Sequence, residues 1–453
     1  MTAIDGVFSK LAACASLVLL SGLVLAQQVP STSASAERVK ARLVVYRGAT
    51  LIDGTGAPAR RDMAVVVENE KIAAVVPVGD LGDAYKDATA IDARGLHVLP
   101  GLIDTHVHLA TSPDRRNAET VLRRQLYSGV TAVRDMAGDA RALADLSRAA
   151  LVGEIPAPDV YYAALMAGPG FFKDPRTAMA SKGVEPGAAP WMQAITAQTD
   201  LPLAIAMARG TGATGIKIYA DLPDVSVAAI VSEAHRQGML VWAHAAVFPA
   251  TPEQLIDARV DVLSHGCLLA NHISDRRRRS IRDRVTINYD AIARGDDLRM
   301  SALFRKMRDG GVILDATAST VPPPPCTSDI STKLAAQAHR EGVLIAAGTD
   351  YETPWQEAYP ALHKELETLS KAGLSALDVI KAATSIAART LGRQDEFGTI
   401  EPGKLANLVF VSRDPLQDIG NLRSVEFTVK RGVMYRRSDY RPLTADQEHA
   451  SAK

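Results

Sequence analysis

The feature that most constrains this chain is a repeat of form. Short apolar, β-branched runs recur along its middle, most of them end on a polar or charged residue, and helical patterning fills the intervals. The runs are His97–His108, Val130–Asp135, Asp159–Leu165, Gly215–Tyr219, Met239–His244, Asp261–His265, Gly311–Ala316 and Val343–Asp350, with Val225–Gln237 and Thr251–Ala258 among the helical intervals. Strand and helix in alternation read as successive βα units, whose crossovers make the strands parallel. Eight such units predict an α/β fold, a closed (β/α)8 or TIM barrel.

Such a barrel commonly takes about 250 residues. The chain has 453, so a second module is expected. Short alternating runs at Leu43–Tyr46, Met63–Glu68 and Ile72–Val76, separated by Asp53-Gly-Thr-Gly56 and Glu68–Lys71, read as hairpins. A helix is predicted over Ala376–Leu391, begun by Ser375 with Asp378 at the capping-box position, and strand patterning returns at Leu408–Val411 and Val425–Tyr435. The expected boundaries are residues 39–97 and 393–440 for the strand-rich ends, 98–392 for the barrel and 441–453 for a tail.

Lys10 precedes the uncharged stretch Leu11–Ala26, and Val24-Leu-Ala26 has the small-residue form of a cleavage site. Residues 1–26 are therefore expected to be a signal peptide and 27–38 a polar leader, placing the mature protein in the periplasm or outside the cell. The stretch is short for a membrane span and is interrupted by Ser16, Ser21 and Gly22, so no membrane association is expected after cleavage. Cleavage removes Cys14 and leaves Cys267 and Cys326 in an oxidising compartment, where a bridge between their loops and a pair of unlinked thiols are both open. Lys plus Arg and Asp plus Glu each number 51, so there is no electrostatic bias towards nucleic acid. Arg276–Arg279 with Arg282 and Arg284, interspersed with Asp275 and Asp283, read as a solvated helical face.

In His106-Val-His108 the two imidazoles share a strand face, because side chains alternate along a strand. Lys217, His244, His265 and Asp350 each lie at the end of a later run. Barrels of this class carry their chemistry at the C-terminal strand ends, so these six side chains are expected to converge on one mouth. Tyr219, two residues beyond Lys217, shares its face and is read either as a donor to a developing oxyanion or as a rim residue. Arg134 and Asp135 are expected to buttress the site through an ion pair, and the turn-rich, aromatic segment Met166–Pro175 to lie over the pocket. His97, His235, His272, His339 and His363 are read as structural or solvated.

This constellation resembles the amidohydrolase superfamily, in particular its binuclear members with a carboxylated lysine. The segment Gly398–Ala406, followed by Asn407–Pro415, is similar to the close of the imidazolonepropionase-like and Xaa-Pro dipeptidase-like branch. The resemblance implies a small β-sandwich built from both chain ends. It also implies two divalent ions, zinc foremost with manganese or cobalt as alternatives, bridged by N6-carboxylated Lys217. His106, His108 and Asp350 would hold the first ion and His244 and His265 the second. Charge arithmetic agrees, since an ammonium about 4 Å from a divalent ion is repelled by several kcal/mol even at an effective dielectric of 20. A carbamate offers two oxygens and a negative charge instead. The implied activity is hydrolysis of an amide or peptide C–N bond in a small molecule, of dipeptide or N-acyl amino acid type. A metal-activated hydroxide would attack and Asp350 would shuttle the proton. Esters, lactones and phosphotriesters are the alternative substrates, a catalytically silent metal-binding scaffold is the alternative outside enzymes, and homo-oligomerisation is left open.

Overall fold

The computed structural model describes residues 43–280, 283, 285–320, 326–351 and 357–442. The expected signal peptide, leader and C-terminal tail from residue 443 lie outside the described residues.

The eight barrel strands are Leu102–Val107, Val130–Asp135, Asp159–Ala167, Gly215–Ile218, Leu240–His244, Val262–Ser264, Ile313–Asp315 and Ile345–Ala346. Each pairs parallel with the next in chain order. The ring closes where Thr105 N donates to Ala347 O at 3.1 Å and Asp350 N to His106 O at 2.8 Å. Side chains cover one face of the strands and helices the other, which is why the runs are apolar throughout instead of alternating. The helices carry the matching stripe: Asp224–Arg236 buries Val227, Ile230, Val231 and Ala234, the spacing of one helical face. Thr251 and Gln254 cap Pro252–Asp257 reciprocally.

The chain ends form a second sheet. Its order is Val433–Arg436, Val425–Lys430, Leu408–Val411, His97–Pro100, Leu43–Leu51, Arg60–Glu68 and Lys71–Pro77, with Thr89–Asp92 also paired to Leu43–Leu51. The sheet curls around Tyr46, Leu51, Val65, Val98, Phe410 and Phe427. The Phe410 ring lies 4.9 Å from Tyr46 and 4.4 Å from Phe427.

Three expectations are corrected. The run His97–His108 is two strands in two sheets: His97–Pro100 pairs with Leu408–Val411, and the barrel begins only at Leu102. Both halves are buried, so periodicity cannot separate them. The break is Gly101, where a Cβ would come within 2.3 Å of the Thr131 side chain. The helix predicted over Ala376–Leu391 is two helices, Ala376–Ala382 and Ser385–Thr390. Its continuity is lost where Ala347 N and Ile103 N take the carbonyls of Ala382 and Ala383 at 2.9 and 2.8 Å. Arg276–Arg279 is irregular and not helical. Arg276 pairs with Asp283 at 2.9 Å, Arg277 Nε donates to Pro249 O at 2.9 Å, and Arg278 lies over the Phe248 ring at 4.4 Å.

Cys267 and Cys326 are joined by a disulfide with Cα atoms 6.4 Å apart, tying the segment after the sixth strand to the one after the seventh. Among the described residues, no helix is long and apolar enough to cross a membrane.

Candidate metal centre

Parallel strands deliver their C-terminal residues to one end of the ring, and all six expected ligands line one cavity there, of about 230 Å³, together with Tyr219. The ligand atoms of His106, His108 and Asp350 lie within 4.8 Å of one another. His108 Nε2 is 3.1 Å and His106 Nε2 3.5 Å from Asp350 Oδ1. The His265 ring sits 4.8 Å from His106 and 4.5 Å from His244, with Nδ1 3.6 Å from Asp350 Oδ2. Lys217 is fully buried, and its Nζ donates to Ser264 Oγ at 3.4 Å. His265 and Asp350 both have left-handed backbone, φ 73° and 48°, a conformation costly for side chains with a Cβ and found at sites where function requires it. The bonds His265 N to Asp315 O, 3.0 Å, and Asp350 N to His106 O, 2.8 Å, hold them there.

Burial dominates the electrostatics. It pushes the Lys217 ammonium down to about 7 against the attraction of Asp315 and Asp350. It lowers His106, holds His244 well below its ordinary value and takes His265 to about 3. Burial would lower His108 too, but Asp350 and Asp135 together outweigh it, and His108 alone of the four moves up. Burial would raise Asp350, but His106, His108 and His265 hold its carboxyl far below the usual range. Lone-pair imidazoles beside a carboxylate are what a divalent cation takes as ligands. The polar bookkeeping also fits an ion: the buried Nδ1 of His244 has no hydrogen-bond partner among the described residues. Lys217, if an ammonium, would have only one long hydroxyl bond among the described residues to satisfy three donors.

Asp315 is the residue that sequence reasoning missed. It is fully buried at the end of the seventh strand. Its Oδ2 accepts from His106 Nδ1 at 2.7 Å, Ser264 Oγ at 3.0 Å and Arg134 Nη2 at 3.1 Å, and its Oδ1 from Thr105 Oγ1 at 3.0 Å. A carboxylate on Nδ1 fixes the His106 tautomer and leaves Nε2 facing the cavity. The signal was present, since Ile313-Leu-Asp315 ends on an acid like its counterparts, but reading that run through to Ala316 hid it. The buttress expected from Arg134 is real, though its partner is Asp315. Asp135 instead accepts from the backbone of Leu109 at 2.5 Å and Ala137 at 3.0 Å. Gly348 leaves room for this arrangement: a Cβ there would meet Asp315 Oδ1 at 2.2 Å.

The Tyr219 ring packs on His244 at 3.9 Å and on Phe171 at 4.4 Å. The segment Met166–Pro175 thus contributes Phe171 to the cavity wall, and Arg176, just beyond it, lines the cavity as well. The other histidines are elsewhere: His363 bonds Ser128 O at 3.1 Å, His235 bonds Asp261 at 2.9 Å, and His97 and His339 lie 3.8 and 3.7 Å from Asp414 and Asp378.

Residues 97–434, most of the chain, match the amidohydrolase family. The chain belongs to that family. This amidohydrolase is 27% identical to the ochratoxinase of Aspergillus niger over 442 residues, spanning 87% of this chain and 85% of that one. A local likeness, 45% over 65 residues, joins it to an imidazolonepropionase of Cupriavidus necator, covering 14% of this chain and 16% of the other. Among solved structures, a Xaa-Pro dipeptidase with methionine in its active site superposes with a TM-score of 0.69 at 22% identity, covering 87% of this chain and 100% of that one. The match to the A. niger ochratoxinase structure is similar, with a TM-score of 0.68 at 21% identity over 90% and 98% of the two chains. The barrel and the sheet from both ends are shared architecture, and the amidohydrolase is a hydrolase of this family.

Proposed function

We propose that this amidohydrolase is metal-dependent and cleaves an amide or peptide C–N bond in a small molecule of dipeptide or N-acyl amino acid type. The observation that carries the reading is the convergence of four imidazoles, a buried lysine and a carboxylate on one cavity. His106, His108 and Asp350 would hold one divalent ion, zinc foremost, and His244 and His265 a second, with carboxylated Lys217 between them. Carboxylation balances simply: the neutral Lys217 nitrogen bonds to the carbon of carbon dioxide and releases a proton. That exchanges a buried neutral amine, left once the ammonium has given up its own proton, for an anion with two oxygen donors. Divalent ions in such a site lower the pKa of water towards about 7 and polarise a carbonyl.

The chain's own groups do the rest. Asp350 carries the proton of the attacking water to the leaving nitrogen, so the C–N bond breaks with the amine protonated and the water oxygen retained in the new carboxylate. The Tyr219 hydroxyl donates to the carbonyl oxygen as negative charge develops. Phe171, Leu165 and Met136 supply an apolar wall beside the candidate ligands. The sequence stretch Leu11–Ala26 and the Cys267–Cys326 bridge support export to an oxidising compartment, which we propose as its location.

The test is elemental analysis and a hydrolysis screen on full-length enzyme purified with zinc and bicarbonate. About two ions per chain are expected, with turnover of dipeptides or N-acyl amino acids ahead of lactones and phosphotriesters. Lys217→Ala should lose bound metal and most activity, whereas Asp350→Asn should stay folded with kcat lowered on the order of 10² or more. A single ion that survives loss of Lys217, or turnover of esters with none of amides, overturns the reading.

A further inference from the structure

Lys217 aside, Arg176 is the only lysine or arginine among the described residues lining the cavity. It is held, not free to sweep solvent: Asp174, the N-cap of the short helix Pro175–Ala180, accepts from its Nε at 3.1 Å and its Nη2 at 2.8 Å. A guanidinium locked along one edge has already lost much of its rotamer freedom, so its remaining donors bind a ligand at lower entropic cost. Tyr219 lines the same cavity as this guanidinium. The Tyr219 ring packs on His244, and His244 on His265, so a single side chain separates Arg176 from the candidate ligands. Met136, Leu165, Phe171 and Met192 line the same cavity and are apolar.

The cavity therefore brings together candidate metal ligands, a preorganised cation one side chain away and an apolar wall. A substrate that matches it carries an anion a few bonds from the scissile carbonyl and an apolar group beside that anion. In an N-acyl amino acid or a dipeptide the free carboxylate lies three bonds from the scissile carbonyl carbon, and the side chain branches from the atom between. Planar carboxylate and planar guanidinium pair through parallel hydrogen bonds. We infer that Arg176 reads the free carboxylate of the substrate, restricting this enzyme to N-acyl amino acids and dipeptides whose carboxyl-terminal residue is unblocked and apolar. The inference rests on the proposed amide hydrolysis, but it is tested by binding.

The probes are N-methanesulfonyl-phenylalanine of either hand and the corresponding primary amides, which keep the skeleton and are not hydrolysed. Calorimetry on the metal-loaded, full-length enzyme should find the acid bound about tenfold or more tighter than the amide, the scale of one charge-assisted contact at a partly open site. Arg176→Gln should bring that ratio close to one, and Arg176→Lys should restore part of it. Since the Arg176 side chain is 56% exposed, the glutamine variant is expected to fold. Equal binding of acid and amide by the wild type overturns the inference, as does a preference that survives in Arg176→Gln, which would assign the anion to the metal ions. No binding of either probe at millimolar concentration also overturns it. Acid-selective binding without amide turnover would instead sink the proposed reaction and leave this assignment standing.

Discussion

Asp315 offers the sharpest test of how the site is held. Its carboxylate and the Arg134 guanidinium are both fully buried, and Arg134 also donates to Thr105 O at 2.6 Å and lies over the Trp242 ring at 4.7 Å. Asp315→Ala would strand that cation without its counter-charge. Breaking a buried pair from one side costs about 3–5 kcal/mol, a large part of the roughly 5–15 kcal/mol that holds an ordinary domain together. Asp315→Asn is milder. Its carbonyl oxygen can still face His106, Ser264 and Arg134, and its amide can turn to Thr105 Oγ1, which has Ala347 O at 3.0 Å as its own acceptor. What asparagine removes is the charge, and hydrogen bonds to a charged group are worth about 1.5–3 kcal/mol against about 1 for neutral ones, so a cost of about 2 kcal/mol is expected. Because Asp315 also orients His106, both variants should bind zinc about 10–100-fold more weakly. Urea unfolding of the metal-free proteins reads the first effect as a lower midpoint at unchanged slope, and chelator competition reads the second. Zinc affinity within about threefold of wild type in Asp315→Asn, with Asp315→Ala within about 1 kcal/mol of wild-type stability, would refute the argument.

Burial, aided by Arg423 and Arg437, lowers His363 to about 3 from 6.5. Its depressed value means that its contribution to stability is complete above pH 6.5 and is lost as the pH falls towards 3, by about 1.4 kcal/mol per pH unit. His363→Gln should therefore flatten the acid limb of the stability curve between pH 6.5 and 4, and an unaltered slope would dismiss the role. Residues 267 and 326 are 59 apart, and closing a loop of that size is worth about 4 kcal/mol at most in the chain-entropy account. Peptide mapping without reduction should recover Cys267 linked to Cys326, and replacing both by serine should lower the urea midpoint. Recovery of both as free thiols in the native protein counts against the bridge.

Much of this molecule was legible before its fold was known, because the code involved is local. An apolar run closed by a polar residue is a parallel strand with its functional end marked, and parallel connection brings every such end to one mouth, so the expectation that His106, His108, Lys217, His244, His265 and Asp350 share a cavity could be read from strand order together with the resemblance. The same local code failed where two buried elements abut, at Gly101, and where a helix surrenders its carbonyls to distant strands, at Ala382 and Ala383. It also misassigned the partner of Arg134, which lies 181 residues away at Asp315. Chain order and residue type determined the barrel and the ring of candidate ligands, and the resemblance those residues carry pointed to the family. Ring closure decided which buried charges pair, and the fold of the segment after the third strand decided that Arg176 lines the cavity. Hydrophobic spacing records whether a residue is buried, whereas the partner of a buried polar group depends on which strands meet once the chain has closed on itself.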